Sequence, residues 1–333
     1  MRTPWRSWTG FRSVLARDIE QFLAHKRALG RRFKTEEQEL RAFDRFLVNR
    51  KVRRIGEIRP TMVEAFLGSI SRRTAKSWNC ILSSLSRLFR WMVAQQRMDE
   101  SPLRAAPRRI GDSRPPRLIQ KRDVARILEA ARRLPDSPGV VLYGETYSTI
   151  YAILYALGMR VGEASSLQIK DLDLERRLLV VRNTKFGKTR LVPFGPRAEQ
   201  RLRNYLDART RSGAHLVPDA PVFSIRGTHP VDPDRVSTVF RRLVMRMGLG
   251  GSDARTRPRL HDLRHSFAIS TLLRWYRTCQ DIGPWLFRLS TFMGHSSISS
   301  TATYLTITGE LLAEASRRFT RFASPGSLPE ALS

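Results

Sequence analysis

The chain has 333 residues, and its 60 lysines and arginines outnumber 30 aspartates and glutamates, which gives a formal net charge of +30. The excess of positive charge is not confined to a tail, because residues 1–117 hold 27 basic and 11 acidic residues and residues 118–333 hold 33 and 19. Both halves are therefore expected to face a polyanion. No apolar run reaches the ~18 residues of a membrane-spanning helix, and no signal-peptide stretch opens the chain, which excludes a membrane protein. Only two cysteines occur, which excludes a fold stabilised by several disulfides. These features predict a cytoplasmic, nucleoid-associated protein.

The first hundred residues predict an all-helical domain over residues 11–100. Apolar residues recur at helical spacing, and Gly30 is placed to end the first helix. Residues 35–38 form a capping-box pattern that would open a second helix. Pro60 stands where a third would begin, and apolar residues between 78 and 92 predict a longer fourth. Basic side chains on the exposed faces of these helices indicate a small DNA-binding domain.

Residues 101–117 differ in composition from both of their flanks. They hold four prolines, one glycine and five arginines. Such a segment cannot build a core, and it predicts an extended basic linker. A positively charged strap between two basic domains would suit a protein that closes around a duplex.

The part after the linker, residues 118–322, predicts a mainly α domain with a small β-hairpin, an α+β domain. Helices are expected over 121–133 and 145–157, followed by strands at 178–181 and 190–193. Helices should then dominate to about residue 320. Residues 323–333 are expected to be a flexible tail.

Two basic positions in this domain are candidates for phosphate chemistry. Arg160 ends an apolar helix just before another begins, so it can be held rigidly, with Glu163 as an orienting partner. Lys185 lies at the hairpin tip, with Lys188 close by; such a tip can enter a minor groove, and lysine is a compact proton donor. A plain polar turn would explain the two lysines equally simply.

Residues 261–265 read His-Asp-Leu-Arg-His on a predicted helix. His261 and Arg264 are three residues apart and share a face, so they could address one phosphate. His261 and His265 also have the spacing of zinc ligands. However, the metalloprotease pattern needs glutamate where this chain has Asp262, and Arg264 would repel a dication. No metal or other cofactor is therefore expected, and His265 is interpreted as a packed structural histidine.

The tyrosines fall into two groups. Four of them recur every four residues along one helix, which is more typical of core packing than of base stacking; they are Tyr143, Tyr147, Tyr151 and Tyr155. Tyr304 instead follows Met-Gly-His at 293–295, in a stretch rich in serine and threonine where an exposed hydroxyl is easy to arrange. Tyrosine is one of the few side chains that can attack a phosphate.

Taken in order, these positions resemble the tyrosine recombinase (phage integrase) family. The matching residues are Arg160, Lys185, His261, Arg264, His295 and Tyr304. The resemblance covers about residues 118–320, and the helical N-terminal region is similar to that family's core-binding domain. It implies an enzyme that breaks and rejoins DNA through a covalent 3′-phosphotyrosyl bond without ATP or metal. One departure is that residues 274–288 are longer and more aromatic than usual between the two histidine motifs.

The resemblance also implies a role for each residue. The two arginines would grip the phosphate oxygens bidentately, and His295 would donate a further hydrogen bond. Tyr304 must lose a proton whose free pKa is about 10; the nearby cations are expected to favour its phenolate, with His261 as the preferred base or orienter. Lys185 would protonate the departing 5′ oxygen.

The expected partner is double-stranded DNA that carries a specific recombination site, with no membrane contact. In the family a helix similar to residues 305–319 docks on a neighbouring subunit, which implies a homo-tetramer on DNA or a hetero-tetramer with related recombinases. Packing of that helix within its own subunit is the alternative. Two other functions are alternatives: a DNA-binding accessory protein that kept the fold and lost turnover, and a type IB topoisomerase, in which the same chemistry relaxes supercoils.

Overall fold

The structure is a computed structural model that describes residues 10–30, 33–71, 74–111, 117–182, 189–251, 253, 256–278, 283–294, 297, 299–302, 304, 313, 316, 317 and 320. Contacts divide the chain into two compact units, Met1–Ser113 and Arg114–Ser333. Within the described residues the chain is mainly helical with one small sheet, which confirms the predicted fold class. None of the helices described is long and apolar enough to cross a membrane.

The described part of the first unit contains four α-helices. They are α1 (Ala16–Ala28), α2 (Lys34–Asn49), α3 (Pro60–Ser69) and α4 (Ala75–Ala94). Their apolar faces meet in one core, in which the Phe43 ring contacts those of Phe66 and Phe89 at centroid distances of 4.8 and 5.8 Å. Burying these faces stabilises the helices more than their intrinsic propensity does, and the four predicted helices are confirmed.

The start of α2 differs from the predicted capping box. Phe33 precedes the helix in a left-handed conformation (φ 47°), no side chain caps the first turn, and Thr35 already lies inside the helix. The Phe33 side chain is buried, and its ring packs edge-on against Phe22 at 5.9 Å. A buried aromatic residue, and not a side-chain cap, therefore stands at the start of α2.

The segment predicted as a linker is attached to α4 along its first part. Residues 101–111 contain no helix or strand. The Asn79 amide donates to the backbone carbonyl of Arg108 and accepts from its N–H, both at 2.8 Å, and the Arg108 guanidinium lies 3.7 Å from the Trp78 ring centroid. Residues 112–116 lie outside the described residues.

The second unit carries the remaining elements. In chain order they are α5 (Lys121–Arg132), α6 (Tyr143–Leu157), α7 (Val161–Ser165), β1 (Leu172–Asp173), β2 (Leu178–Val181), β3 (Arg190–Pro193), α8 (Pro196–Arg211), α9 (Pro233–Arg246), α10 (Leu260–Thr278), α11 (Gly283–Met293) and α12 (Ser299–Ala302). The strands pair antiparallel in the order β1-β2-β3, with Leu179 opposite both Leu172 and Val192. The predicted strands are confirmed, and β1 was not predicted because two residues are too few to show alternation. The hairpin tip at 183–188 lies outside the described residues.

Helix α6 forms the centre of this unit, because it contacts α5, α8 and α10. Tyr147 and Tyr151 on this helix are fully buried. The Tyr151 hydroxyl donates to the Val236 carbonyl at 3.1 Å, and its ring packs edge-on against Phe240. The prediction that the tyrosine stripe serves core packing is confirmed.

The aromatic segment at 274–288 spans the end of α10 and the start of α11. The Trp275 and Trp285 rings lie 5.2 Å apart, and the Arg288 guanidinium lies 4.5 Å from the Trp285 centroid. These aromatic residues therefore join the two helices, while residues 279–282 lie outside the described set. The C-terminal helix predicted at 305–319 also lies outside it, apart from residues 313, 316 and 317.

Candidate active site

Arg160 lies between α6 and α7, at the N-terminal boundary of the shorter helix. Its backbone N–H donates to Glu163 Oε2 at 2.9 Å, and its Nη1 donates to Glu163 Oε1 at 2.7 Å. Burial alone would raise the pKa of Glu163, but hydrogen bonds from Arg190 and Arg160 outweigh it and hold the pKa at about 2. The predicted contact between Arg160 and Glu163 is thus formed, and the carboxylate stays charged at neutral pH.

Arg264 lies on α10 and is only 2% exposed. Its Nη1 donates to the carbonyl of Gly158, just beyond the end of α6, and its Nη2 donates to the carbonyl of Met293 at 2.8 Å. Burial, together with the charge of Arg160, lowers the pKa of Arg264 to about 10. The guanidinium therefore remains protonated at neutral pH, and it faces the ends of two helices.

Three consecutive backbone carbonyls at the C-terminal end of α11 each accept a hydrogen bond from a different arginine. The bonds are Arg190 Nε to Phe292 O (3.0 Å), Arg264 Nη2 to Met293 O (2.8 Å) and Arg160 Nη2 to Gly294 O (2.8 Å). The last carbonyls of a helix have no partner within it and carry its partial negative charge. Three cations therefore hold this helix end, directly before His295 in the sequence.

Tyr304 is buried, with 4% of its surface exposed. Its hydroxyl oxygen lies 2.9 Å from Nδ1 of His265. The ring packs into an apolar cluster formed with α10 and α11, whose buried members include Ala268, Ile269, Leu272, Leu289 and Met293. The expectation of an exposed hydroxyl in a polar stretch is wrong, because the ring packs against these helices. His265 is a direct partner of the tyrosine rather than a merely packed histidine.

The pKa values of Tyr304 and His265 show the protonation of the site in the chain without DNA. Burial raises the pKa of Tyr304, and the charges of Arg264 and Arg160 oppose this shift only in part. The two cations thus favour the phenolate, as expected, but in the chain without DNA burial outweighs them and the pKa of Tyr304 stays raised. Burial and the neighbouring His261 lower the pKa of His265 to about 4, so at neutral pH this ring is uncharged and one of its nitrogens can accept a hydrogen bond.

We expect the thermal stability of the second unit to fall as the pH drops from 7 to 5, and His265→Asn to reduce that fall. The folded pKa of His265, about 4, lies below its ordinary value of 6.5, so the unfolded chain binds the proton first. The stability that the neutral His265 ring contributes to the folded state is fully present above pH 6.5 and is lost as the pH falls toward 4. The measurement is the midpoint of thermal unfolding at pH 7, 6 and 5.

The matched control for this experiment is His215→Asn, because His215 is exposed. It should keep the wild-type dependence on pH. Glu163, with its pKa lowered to about 2 from 4.5, affects only a more acidic range. If the unfolding midpoint of His265→Asn depends on pH as that of the wild type does, protonation of His265 is not the cause of the loss of stability.

His261 occupies the first turn of α10, and part of its surface is accessible to solvent. It packs edge to face on His265, with centroids 4.5 Å apart, and the Tyr304 hydroxyl lies against the second of these rings. Desolvation and the charge of Arg264 lower the pKa of His261. The ring also lines a mainly apolar cavity of about 450 Å³, together with Met245 on α9.

Asp262, the acidic residue between the two histidine positions, is fully buried. Its carboxylate accepts from the backbone N–H of Arg259 at 2.7 Å and from the Arg259 guanidinium at 3.1 Å, so it closes the first turn of α10. In the described part of the chain, no group of three or more histidine, cysteine, aspartate or glutamate side chains could hold a metal ion.

Of the six predicted site residues, the structure describes Arg160, His261, Arg264 and Tyr304 and brings them into one region. Each arginine charge affects the pKa of Tyr304 and of His261. Lys185 and His295 lie outside the described residues, so their assignments remain predictions.

Sequence reasoning missed Arg190, although its strand carries a signal. In β3 the side chain of Arg190 lies on the same face as the buried Val192, and Leu191 between them is largely exposed. Because side chains alternate between the two faces of a strand, an arginine here occupies a core-facing position. An apolar residue facing solvent beside an inward-facing charge is the pattern that could have revealed it.

Family models match both units of the chain. The model described as the phage integrase family matches residues 117–310, and that of the phage integrase N-terminal SAM-like domain matches residues 36–96. The chain belongs to the phage integrase family. These are tyrosine recombinases, DNA breaking and rejoining enzymes, so the expected family and enzyme class are confirmed.

Named relatives agree with this assignment. The chain is 32% identical over 311 residues to the integrase/recombinase y4rB of Sinorhizobium fredii, covering 93% of this chain and 98% of that protein. It is 29% identical to the tyrosine recombinase XerC of Lactobacillus delbrueckii subsp. bulgaricus, over 67% of this chain and 69% of the relative.

Solved structures share the fold. The Tn1549 transposon integrase, solved with transposon right end DNA, superposes with a TM-score of 0.61 at 18% identity, covering 94% of this chain and all of that one. The XerH recombinase bound to a palindromic difH substrate gives a TM-score of 0.57 at 20% identity, covering 84% and 77%.

Proposed function

We propose that this chain is a site-specific DNA recombinase in which Tyr304 attacks a phosphodiester of double-stranded DNA. The bond from the tyrosine oxygen to phosphorus forms as the bond from phosphorus to the 5′ oxygen breaks. The products are a 3′-phosphotyrosyl link and a free 5′-hydroxyl end. The observation that carries the proposal is the Tyr304 hydroxyl held against His265 within the electrostatic field of Arg160 and Arg264.

The two arginines are suited to stabilise the charge that the attack creates. Attack on a phosphodiester builds negative charge on the non-bridging oxygens, and preorganised donors lower that barrier most. Arg160 is fixed by Glu163 and the end of α11, and Arg264 by the ends of α6 and α11. Two nitrogens of each guanidinium make these bonds, and further N–H groups on each can address a phosphate.

The tyrosine proton has a direct acceptor in the structure. We assign Nδ1 of the neutral His265 as the nitrogen that accepts from the Tyr304 hydroxyl, because the two atoms lie 2.9 Å apart. His265 thus replaces His261 as the proposed orienter and first proton acceptor. We assign the partly accessible His261 to the phosphate instead, because it lies in the field of the same two arginines.

Two roles rest on the family motif alone. His295 would donate to the phosphate, and Lys185 would protonate the departing 5′ oxygen. The three arginine contacts at the end of α11 support the first role, because they fix the backbone of Gly294, immediately before His295. The position of Lys185 between β2 and β3 supports the second, because β3 holds Arg190 against Glu163.

The proposed partner is double-stranded DNA with a specific recombination site. The net charge of +30 supports it, as do the fold relatives, which include a lambda integrase dimer bound to a core site. A homo-tetramer on DNA, or a hetero-tetramer with related recombinases, is proposed from the family resemblance.

The function is tested by trapping the covalent intermediate. Duplexes that the protein selects from a random-sequence pool at fixed salt are remade with a nick at successive positions, so that the short 5′-hydroxyl fragment dissociates after cleavage. We expect a protein–DNA adduct that survives denaturation and maps by mass spectrometry to Tyr304. Binding without any adduct across the nick series would instead indicate an accessory DNA-binding protein. Relaxation of supercoiled plasmids that lack the selected site would indicate a topoisomerase.

A further inference from the structure

Arg190 is a nearly buried arginine at the start of β3, with 11% of its side chain exposed. Its Nη1 and Nη2 donate to Glu163 Oε1 and Oε2, both at 2.9 Å, and its Nε donates to the Phe292 carbonyl at 3.0 Å. All three guanidinium nitrogens therefore have acceptors among the described residues. A two-bond fork onto a carboxylate fixes geometry as well as charge.

The carboxylate that Arg190 holds also binds Arg160. Each carboxylate oxygen of Glu163 accepts one hydrogen bond from each arginine. Oε1 accepts from Nη1 of Arg160 and Nη1 of Arg190, and Oε2 accepts from the backbone N–H of Arg160 and Nη2 of Arg190. Without Arg190, Glu163 could rotate about its side-chain bonds and carry the Arg160 guanidinium with it. Arg190 therefore fixes the plane in which Arg160 is held.

Arg190 also lies against the second support of Arg160, the end of α11. Gly294, whose carbonyl accepts from Arg160, has a positive φ of 67°. A Cβ atom there would lie 2.8 Å from Nη1 and 3.0 Å from Cζ of Arg190. The absence of a side chain at Gly294 thus lets the Arg190 guanidinium approach the backbone that Arg160 binds.

We propose that Arg190 is a positioning residue, which aligns Arg160 with the scissile phosphate by holding Glu163 and the end of α11. This inference rests on the proposed function, in which Arg160 contacts that phosphate. Arg190 itself does not contact DNA, since its nitrogens face Glu163 and Phe292. It also ties β3 to the same site.

The test compares Arg190→Lys and Arg190→Gln with the wild-type chain on the nicked duplex, at saturating DNA. We expect adduct formation to slow by roughly 10²-fold, as a misplacement of about 1 Å can cause, while DNA affinity changes little. Lysine keeps the charge but not the fork, so it should not rescue the rate. The matched control is Arg176→Gln, because Arg176 belongs to the same sheet region but is 81% exposed; it should react at the wild-type rate.

A double-mutant cycle separates positioning from folding. Arg190→Gln combined with Glu163→Gln should slow the reaction no more than the slower single variant, because both act through the position of Arg160. Independent, multiplying effects would overturn the proposal, as would a wild-type rate in folded Arg190→Lys. If neither Arg190 variant folds, Gly294→Ala displaces the same guanidinium, and a wild-type rate there overturns the proposal.

Failure of the proposed function gives a different result. In that case the wild-type chain forms no adduct, or Arg160→Gln retains the wild-type rate. The inference about Arg190 fails when the wild-type chain reacts and Arg160→Gln does not, yet the Arg190 variants react as the wild type does.

Discussion

Tyr304→Phe should form no covalent adduct with a nicked duplex, because the variant lacks the only atom that the proposed reaction joins to phosphorus. The fold should persist, since the phenyl ring keeps the apolar contacts of Tyr304 with α10 and α11. The variant loses the hydrogen bond to His265, which is worth about 0.5–1.5 kcal/mol. Adduct yield on denaturing gels and DNA affinity by titration are the two measurements.

The matched control is Tyr151→Phe. Tyr151 is also buried, and its hydroxyl donates to the Val236 carbonyl, away from the proposed chemistry. This variant should lose a similar amount of stability and keep the full adduct yield. An adduct in Tyr304→Phe would show that another residue is the nucleophile.

Arg264→Lys should slow adduct formation by about 10²–10³-fold, as the loss of a preorganised donor does. Lysine retains the charge but cannot reach Gly158 and Met293 together from one planar group. A buried carbonyl left without a donor costs about 1–3 kcal/mol, so the free energy of unfolding should fall as well. Adduct formation at saturating DNA and urea unfolding measure the two effects separately.

Arg209→Lys provides a control with the same type of structural loss. Arg209 is equally buried in the second unit, and it donates to the carbonyls of Pro221 and Val222. It should be destabilised to a comparable degree and yet react at the wild-type rate. If Arg264→Lys reacts as fast as Arg209→Lys, the role of Arg264 is structural only.

Some features of the site could be predicted because they are local. Arg160 and Glu163 are three residues apart, so the spacing at a helix start already brings guanidinium and carboxylate together. The tyrosine stripe of α6 and both hairpin strands follow from periodicity. The partner of Tyr304 could not be predicted in this way, because His261 and His265 lie one turn apart on α10 and either could face a later segment.

The sequence by itself determined the family, the mainly helical class and the positions expected to carry the chemistry, because each depends on residue type and spacing within a short segment. Only the tertiary structure decided that Tyr304 is buried on His265 and that Arg190 supports Arg160. His265 and Tyr304 lie 39 positions apart in the sequence, and Arg190 and Phe292 lie 102 positions apart. Burial and hydrogen-bond partners at such separations depend on how helices pack, which no local pattern of residues specifies.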